Sequence, residues 1–271
     1  MQAGQQILLI GFGNMGQALV RGWLAEGRAA SSIRAVDPVA EARAAASALG
    51  IEAHRDIPAS PAELVIVAVK PAQLRDAARG IQAVLAPRSV VLSIVAGKTL
   101  AQLEALLGDG TALVRAMPNT PAAIGRGITV LCANRAVDAR RREACAALMS
   151  AVGRVEWLAD EQLMDAVTAV SGSGPAYVFL LIECLSEAGR QAGLDRELAI
   201  RLATETVAGA GLYAAGAEET AAELRRRVTS PNGTTQAALE VLLGAGGLQE
   251  LIGSAVRAAT ERSRALSQES S

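Results

Sequence analysis

Three glycines in Gly11-Phe12-Gly13-Asn14-Met15-Gly16 stand at the spacing that lets a backbone cradle a pyrophosphate. The segment follows an aliphatic run, Ile7–Ile10, and opens a helical pattern, Asn14–Ala25. In that setting Gly11 permits a tight turn and Gly13 lets a phosphate approach the main chain. Gly16 lets the helix pack close to the strand, and the helix N-terminus faces the anion. The same glycines also suit a plain strand-to-helix turn; the context and Asp37 favour dinucleotide binding. Asp37 ends the next β-like run, where a carboxylate accepts from an adenosine ribose and repels a 2′-phosphate. Asp37-Pro38 is also a turn-forming pair, and Arg34 and Arg55 are available to offset a phosphate. NADH and NADPH therefore both stay open.

Two further run ends are candidates, because ligands of such sheets sit beyond the strands' carboxyl ends. One is Lys70-Pro71 after Leu64–Val69; the other is Ala96-Gly97 after Val90–Val95. Lys70, one of two lysines in the chain, reads equally as a ligand group or as a solvated loop residue. A separate constellation, Thr229-Ser230-Pro231-Asn232-Gly233-Thr234-Thr235, precedes an apolar helical pattern and follows Arg225–Arg227. Its N–H groups and hydroxyls can meet a carboxylate or simply cap a helix. The same choice applies to Ser171-Gly172-Ser173-Gly174 before Pro175.

What the chain lacks narrows the chemistry. Reduction of a ketone needs a proton donor beside the reacting carbon, usually His, Lys or Tyr. Beyond residue 160 there is no histidine and no lysine, and the tyrosines are Tyr177 and Tyr213. This counts against hydroxyacid dehydrogenases that use a lysine on a long helix. A cyclic imine arrives with its nitrogen already protonated, so its site needs mainly orientation.

The elements that must position these residues change character along the chain. Up to about residue 160, apolar runs at Ile7–Ile10, Ile33–Val36, Leu64–Val69, Val90–Val95, Ala112–Arg115 and Ile128–Cys132 alternate with helical patterns. That predicts an α/β, doubly wound, mainly parallel Rossmann-type sheet over residues 1–160. Residues 161–271 read as helices throughout, with a frayed end at Ser267–Ser271. Alanine-rich helices hold little core each, which points to a second subunit.

With 271 residues and a net charge of −1 the chain shows no electrostatic footprint for nucleic acid or an anionic membrane. Three cysteines without a CxxC pair and a lone His54 argue against disulfides and a metal site. The longest uncharged run, Ala166–Ile182, is interrupted by Ser-Gly-Ser-Gly-Pro and is expected not to span a bilayer. A cytoplasmic protein is expected.

Several motifs together resemble the Δ1-pyrroline-5-carboxylate reductase family over essentially the whole chain. They are GFGNMG, AVKP (Ala68–Pro71), MPNTP (Met117–Pro121), AVSGSGPAY (Ala169–Tyr177) and VTSPNGTTQAAL (Val228–Leu239). The last is much more specific than the glycine fingerprint. It departs from the family in having Asn232-Gly233 where two glycines are common, and asparagine tolerates the left-handed conformation needed there. The resemblance implies reduction of L-1-pyrroline-5-carboxylate to L-proline by NADPH or NADH. It implies that Ile10–Met15, Asp37, Ala68, Val69, Lys70, Pro71, Ile94, Val95 and Ala96 line the cofactor, with Asn119 and Thr120 near the nicotinamide; Arg55 joins this set as the residue available to offset a phosphate. Ser230, Gly233, Thr234, Thr235, Ser171, Gly172 and Asn119 would bind the substrate, and Thr235 would be catalytic. It further implies a homodimer with interlocked helical domains, often built into a decamer. Two other functions fit the same plan: a different imine reductase or β-hydroxyacid dehydrogenase, separable by a substrate screen, and a redox sensor that binds NAD(P)H without turnover.

Overall fold

The computed structural model describes residues 6–269. Strands β1 (Ile7–Ile10), β2 (Ile33–Val36), β3 (Glu52–His54), β4 (Ala62–Val67), β5 (Leu85–Ser93), β6 (Leu113–Met117), β7 (Gly127–Ala133) and β8 (Gly153–Trp157) form one sheet. Their order is β3-β2-β1-β4-β5-β6-β7-β8. All neighbours pair in parallel except β6 with β7.

The unbroken apolar runs have a direct consequence. Side chains alternate across a strand, so each run feeds two cores, one on either face. Ile7, Leu9, Leu64 and Ile66 pack with Leu19 and Trp23 of α1 (Asn14–Ala25), Ala46 of α2 (Ala40–Ala48) and Leu148 of α5 (Ala139–Ser150). Leu8, Ile10, Val65 and Val67 pack with Leu74 and Ile81 of α3 (Leu74–Val84) and Leu103 of α4 (Leu100–Leu107). The expected doubly wound sheet is present. Two strands are additions to the expectation. β3 is three residues with an exposed glutamate, and β8 alternates exposed charges with half-buried residues as an edge strand does.

Beyond β8 the chain is helical. A 3-10 turn (Glu161–Leu163), α6 (Met164–Val167), a π turn (Thr168–Gly172) and α7 (Gly174–Gln191) follow one another. This corrects the expected interruption at Ser171–Pro175: Glu161–Gln191 is one helical run, long and apolar enough to cross a membrane by length and composition. Pro175 lies in the first turn of α7, where no N–H is missed. A π turn at Thr168–Gly172 replaces the break, and within it the Ser171 hydroxyl donates to the Val167 carbonyl at 3.2 Å. Next come α8 (Arg196–Gly216), α9 (Ala221–Arg227), α10 (Thr234–Leu242) and α11 (Leu248–Glu269). Thr220 starts α9 through a capping box with Glu223, whose carboxylate accepts the Thr220 N–H at 2.8 Å. Residues 267–269, expected to fray, continue α11; residues 270–271 lie outside the described residues.

The chain divides into two compact units, at a later point than the change of composition at residues 160/161. One unit runs up to Gly172 and takes back the chain from Thr260; the other is Ser173–Ala259. α6 stays with the sheet because Met164 is buried in its core and Asp165 accepts the Ser263 hydroxyl at 2.6 Å. The second unit buries just three apolar side chains, Ala199, Ala203 and Leu224. Phe179, Leu180, Leu212, Tyr213, Val241 and Leu251 are all more than half exposed.

Candidate active site

The glycine segment forms the turn that its spacing predicts. Gly11 has φ +97°, its N–H donates to the Val36 carbonyl at 2.8 Å, and a Cβ there would lie 2.5 Å from the Ala68 carbonyl oxygen. Only glycine allows β1 to end this close to β4. Gly16 is similarly confined, 2.6 Å from the Gly11 carbonyl oxygen. Gly13 is the opposite case: apart from its two chain neighbours, no protein atom lies within 4 Å of the position its Cβ would take. Gly13 N-caps α1, whose N-terminus has no side-chain cap and no acidic residue in its first turn. The main chain there is bare, as approach by an anion requires.

A cleft of about 870 Å³ opens from this turn. Of the residues expected to hold a cofactor, Ile10, Gly11, Phe12, Gly13, Asp37, Arg55, Ala68, Val69 and Lys70 line it. Asn14, Met15, Gly16, Pro71, Ile94, Val95, Ala96, Asn119 and Thr120 do not. Arg34 is also outside the lining; its guanidinium donates to the Ser60 hydroxyl. The far wall escaped the sequence reading. Val39 and Ala42 at the start of α2, Ile57 after β3, and Ala77 and Gly80 of α3 belong to it. The signal that could have found Ala77 and Gly80 is the helix phase of α3, which puts them on one side with Gln73. The half-buried Asp37 carboxylate stands at the mouth of the loop and accepts the Phe12 N–H at 2.8 Å.

At the end of β6, Asn119 makes a bracket. Its Oδ1 accepts the Ile128 N–H at 3.0 Å, and its Nδ2 donates to the Ser171 carbonyl in the π turn at 3.2 Å. Asn119, Ser171 and Gly172 are therefore neighbours, although far apart in sequence. Thr120 is exposed and opens a 3-10 turn.

Ser230, Gly233, Thr234 and Thr235 belong to the second unit. Asn232 has φ +58°, the left-handed conformation expected where glycine is common. It is followed by Gly233 as the N-cap of α10, and no side chain caps that helix. The Gly233 N–H donates to the Ser230 carbonyl at 3.1 Å. Gln236 reaches back to accept the Asn232 N–H at 2.8 Å, holding the turn in shape. Gly233 is thus a backbone N-cap without a side-chain capping bond, which is compatible with plain capping and with an anion at the helix start alike. At Ser173 before α7 a side-chain cap is absent as well.

An open main chain at Gly13, a bare helix N-terminus and the half-buried Asp37 carboxylate, all on one cleft, fit a dinucleotide. Comparison with known proteins agrees on both halves. Residues 6–97 match the family model described as NADP oxidoreductase coenzyme F420-dependent, and residues 161–266 match pyrroline-5-carboxylate reductase dimerisation. A pyrroline-5-carboxylate reductase of Pseudomonas aeruginosa is 44% identical over 267 residues, covering 97% of each chain. A solved pyrroline-5-carboxylate reductase from Coxiella burnetii superposes with a TM-score of 0.92 at 37% identity, covering 97% of this chain and 99% of that one. The Plasmodium falciparum pyrroline carboxylate reductase, solved with NADP bound, gives 0.85 at 27% identity over 98% of this chain and 100% of that one. By sequence along nearly its whole length and by fold, the chain belongs to the pyrroline-5-carboxylate reductase family.

Proposed function

We propose that this chain reduces L-1-pyrroline-5-carboxylate to L-proline with NADH or NADPH, the last step of proline biosynthesis. The observation that carries this reading is the open Gly13 cradle in a chain whose other half matches the dimerisation model of that family. Residues 1–160 serve as the dinucleotide-binding domain and residues 161–271 as the dimerisation and substrate-binding domain. The nicotinamide supplies the hydride. The protein's own part is to orient a small cyclic iminium acid. The N–H groups of Gly233, Thr234 and Thr235 at the uncapped start of α10 receive the substrate carboxylate without a lysine. The Thr235 hydroxyl accepts a hydrogen bond from the ring N–H, which fixes the face of the electrophilic carbon. Asn119, Ser171 and Gly172 form the floor beside the nicotinamide. The working form is a homodimer that assembles further into a decamer, in the cytoplasm, with no membrane or nucleic-acid partner. The apolar run Glu161–Gln191 serves the subunit interface.

Initial rates with pyrroline-5-carboxylate, run with NADH and NADPH in parallel, test the reading. NAD(P)H binding without turnover of any imine would point to a sensor instead. Thr235→Val keeps the shape and removes the acceptor. Its kcat/KM is expected to fall by on the order of 1.5–3 kcal/mol in transition-state stabilisation, with Thr235→Ser recovering most of it and NAD(P)H affinity unchanged. A wild-type rate in Thr235→Val would place the substrate elsewhere.

A further inference from the structure

Asp37 is bound to two loops at once. Its Oδ2 accepts the N–H of Phe12, the second residue of the glycine segment, at 2.8 Å. Its Oδ1 accepts the N–H of Val39, the N-cap of α2, at 2.9 Å. The Phe12 side chain is fully buried, so its peptide has a fixed anchor on one side. The main chain of Asp37 is fixed as well. Its N–H donates to the His54 carbonyl at 3.0 Å, and Arg43 donates to the Asp37 and Pro38 carbonyls at 2.9 and 2.8 Å. A carboxylate so held cannot turn out of the cleft. Each oxygen has taken one N–H and keeps capacity for another donor.

We propose that Asp37 is a positioning residue for the glycine loop, in addition to any bond it makes to a ribose. By holding the Phe12 N–H it fixes the Gly11–Phe12 peptide, one residue before Gly13, where no side chain restricts the backbone and no protein atom beyond the two chain neighbours comes within 4 Å of the Cβ position. A loop ordered in advance loses less entropy when it closes on two phosphates. The residue that would distinguish NADH from NADPH therefore also sets the grip on the pyrophosphate that both share. A substitution at position 37 weakens both cofactors, whatever it does to their ratio. This inference rests on the dinucleotide-binding part of the function proposed above.

Adenosine diphosphate and 2′-deoxyadenosine diphosphate separate the two roles. Both carry the two phosphates, and the second lacks the hydroxyl that a carboxylate here would read. They are titrated calorimetrically into the full-length wild type, Asp37→Ser and Asp37→Asn. The wild type is expected to bind both nucleotides. Asp37→Ser is expected to bind the deoxy compound on the order of tenfold more weakly, the size of one lost charge-assisted hydrogen bond. Asp37→Asn keeps one acceptor oxygen and recovers part of the loss. Removing a negative charge by itself strengthens anion binding, so a loss has to come from the loop. If Asp37→Ser binds the deoxy compound as tightly as wild type and loses affinity only for the ribose form, Asp37 reads the ribose alone and the proposal is wrong. A lower thermal midpoint with both affinities intact overturns it too, by making the carboxylate a purely structural tie. A wild type that binds neither nucleotide overturns the dinucleotide reading and this inference with it.

Discussion

Among the residues of the cleft, Gly13 makes the sharpest separation between folding and binding. Its backbone, φ −72° and ψ −169°, is open to any residue, and no protein atom beyond its two chain neighbours lies within 4 Å of its Cβ position. Gly13→Val should therefore cost the fold no more than about 1 kcal/mol, the usual range for a changed N-cap. It should weaken NAD(P)H binding by at least roughly tenfold, about 1.4 kcal/mol, because the added methyls occupy the phosphate approach. Fluorescence titration reads this directly, and near-native affinity would remove Gly13 from the site. The same substitution at Gly11 would be uninformative, since a side chain there collides with the Ala68 carbonyl whether or not a ligand binds.

At the level of elements, one side chain ties three of them together. Asn119 links the end of β6 to the start of β7 and to the π turn. Asn119→Ala leaves the Ile128 N–H and the Ser171 carbonyl without partners, a loss of about 1–3 kcal/mol. The thermal midpoint should drop by several degrees, at roughly 2–4 °C per kcal/mol for a chain of this size. Calorimetry that finds no drop would mean the bracket holds nothing. Asn119 also marks the limit of sequence reading. Its motif singles it out, but its partners depend on β7 turning back antiparallel along β6 and on a π turn 52 positions away. The β-branched runs gave most strands and the helical periods gave nearly every helix, because those signals are local. β3 and β8 stayed hidden since short edge strands with charged residues look like loops. With β3 unseen, Ile57 and the cleft wall beyond it were unseen as well. Likewise the Ser-Gly-Ser-Gly-Pro stretch has the composition of a break, and a π turn absorbs it.

For the molecule as a whole, burial of Cys145 couples the sheet's core to pH. The thiol lies between α5 and the core beside Leu148 and Met149, and burial pushes its pKa up to about 12. The neutral thiol is thus favoured in the folded state. Its contribution is fully present below the unfolded pKa near 9 and is lost as pH rises towards 12, because the unfolded chain gives up its proton first. Stability should fall by up to about 1.4 kcal/mol per pH unit across that window from this group. Urea unfolding at pH 8 and pH 10.5, at one protein concentration, compares wild type with Cys145→Ala. The variant should lose less stability between the two; an equal loss in both would show that the thiol titrates freely.

The second unit's bare apolar faces lead further. Three small buried anchors cannot offset the conformational entropy of ordering Ser173–Ala259. The match of residues 161–266 to a dimerisation family assigns these faces to another copy of the chain, so folding and association of this half are expected to share one equilibrium. Dilution then acts as a denaturant. Below some threshold of abundance these helices melt at a temperature where the concentrated protein is intact, and the dinucleotide-binding unit, with two cores of its own, outlasts them.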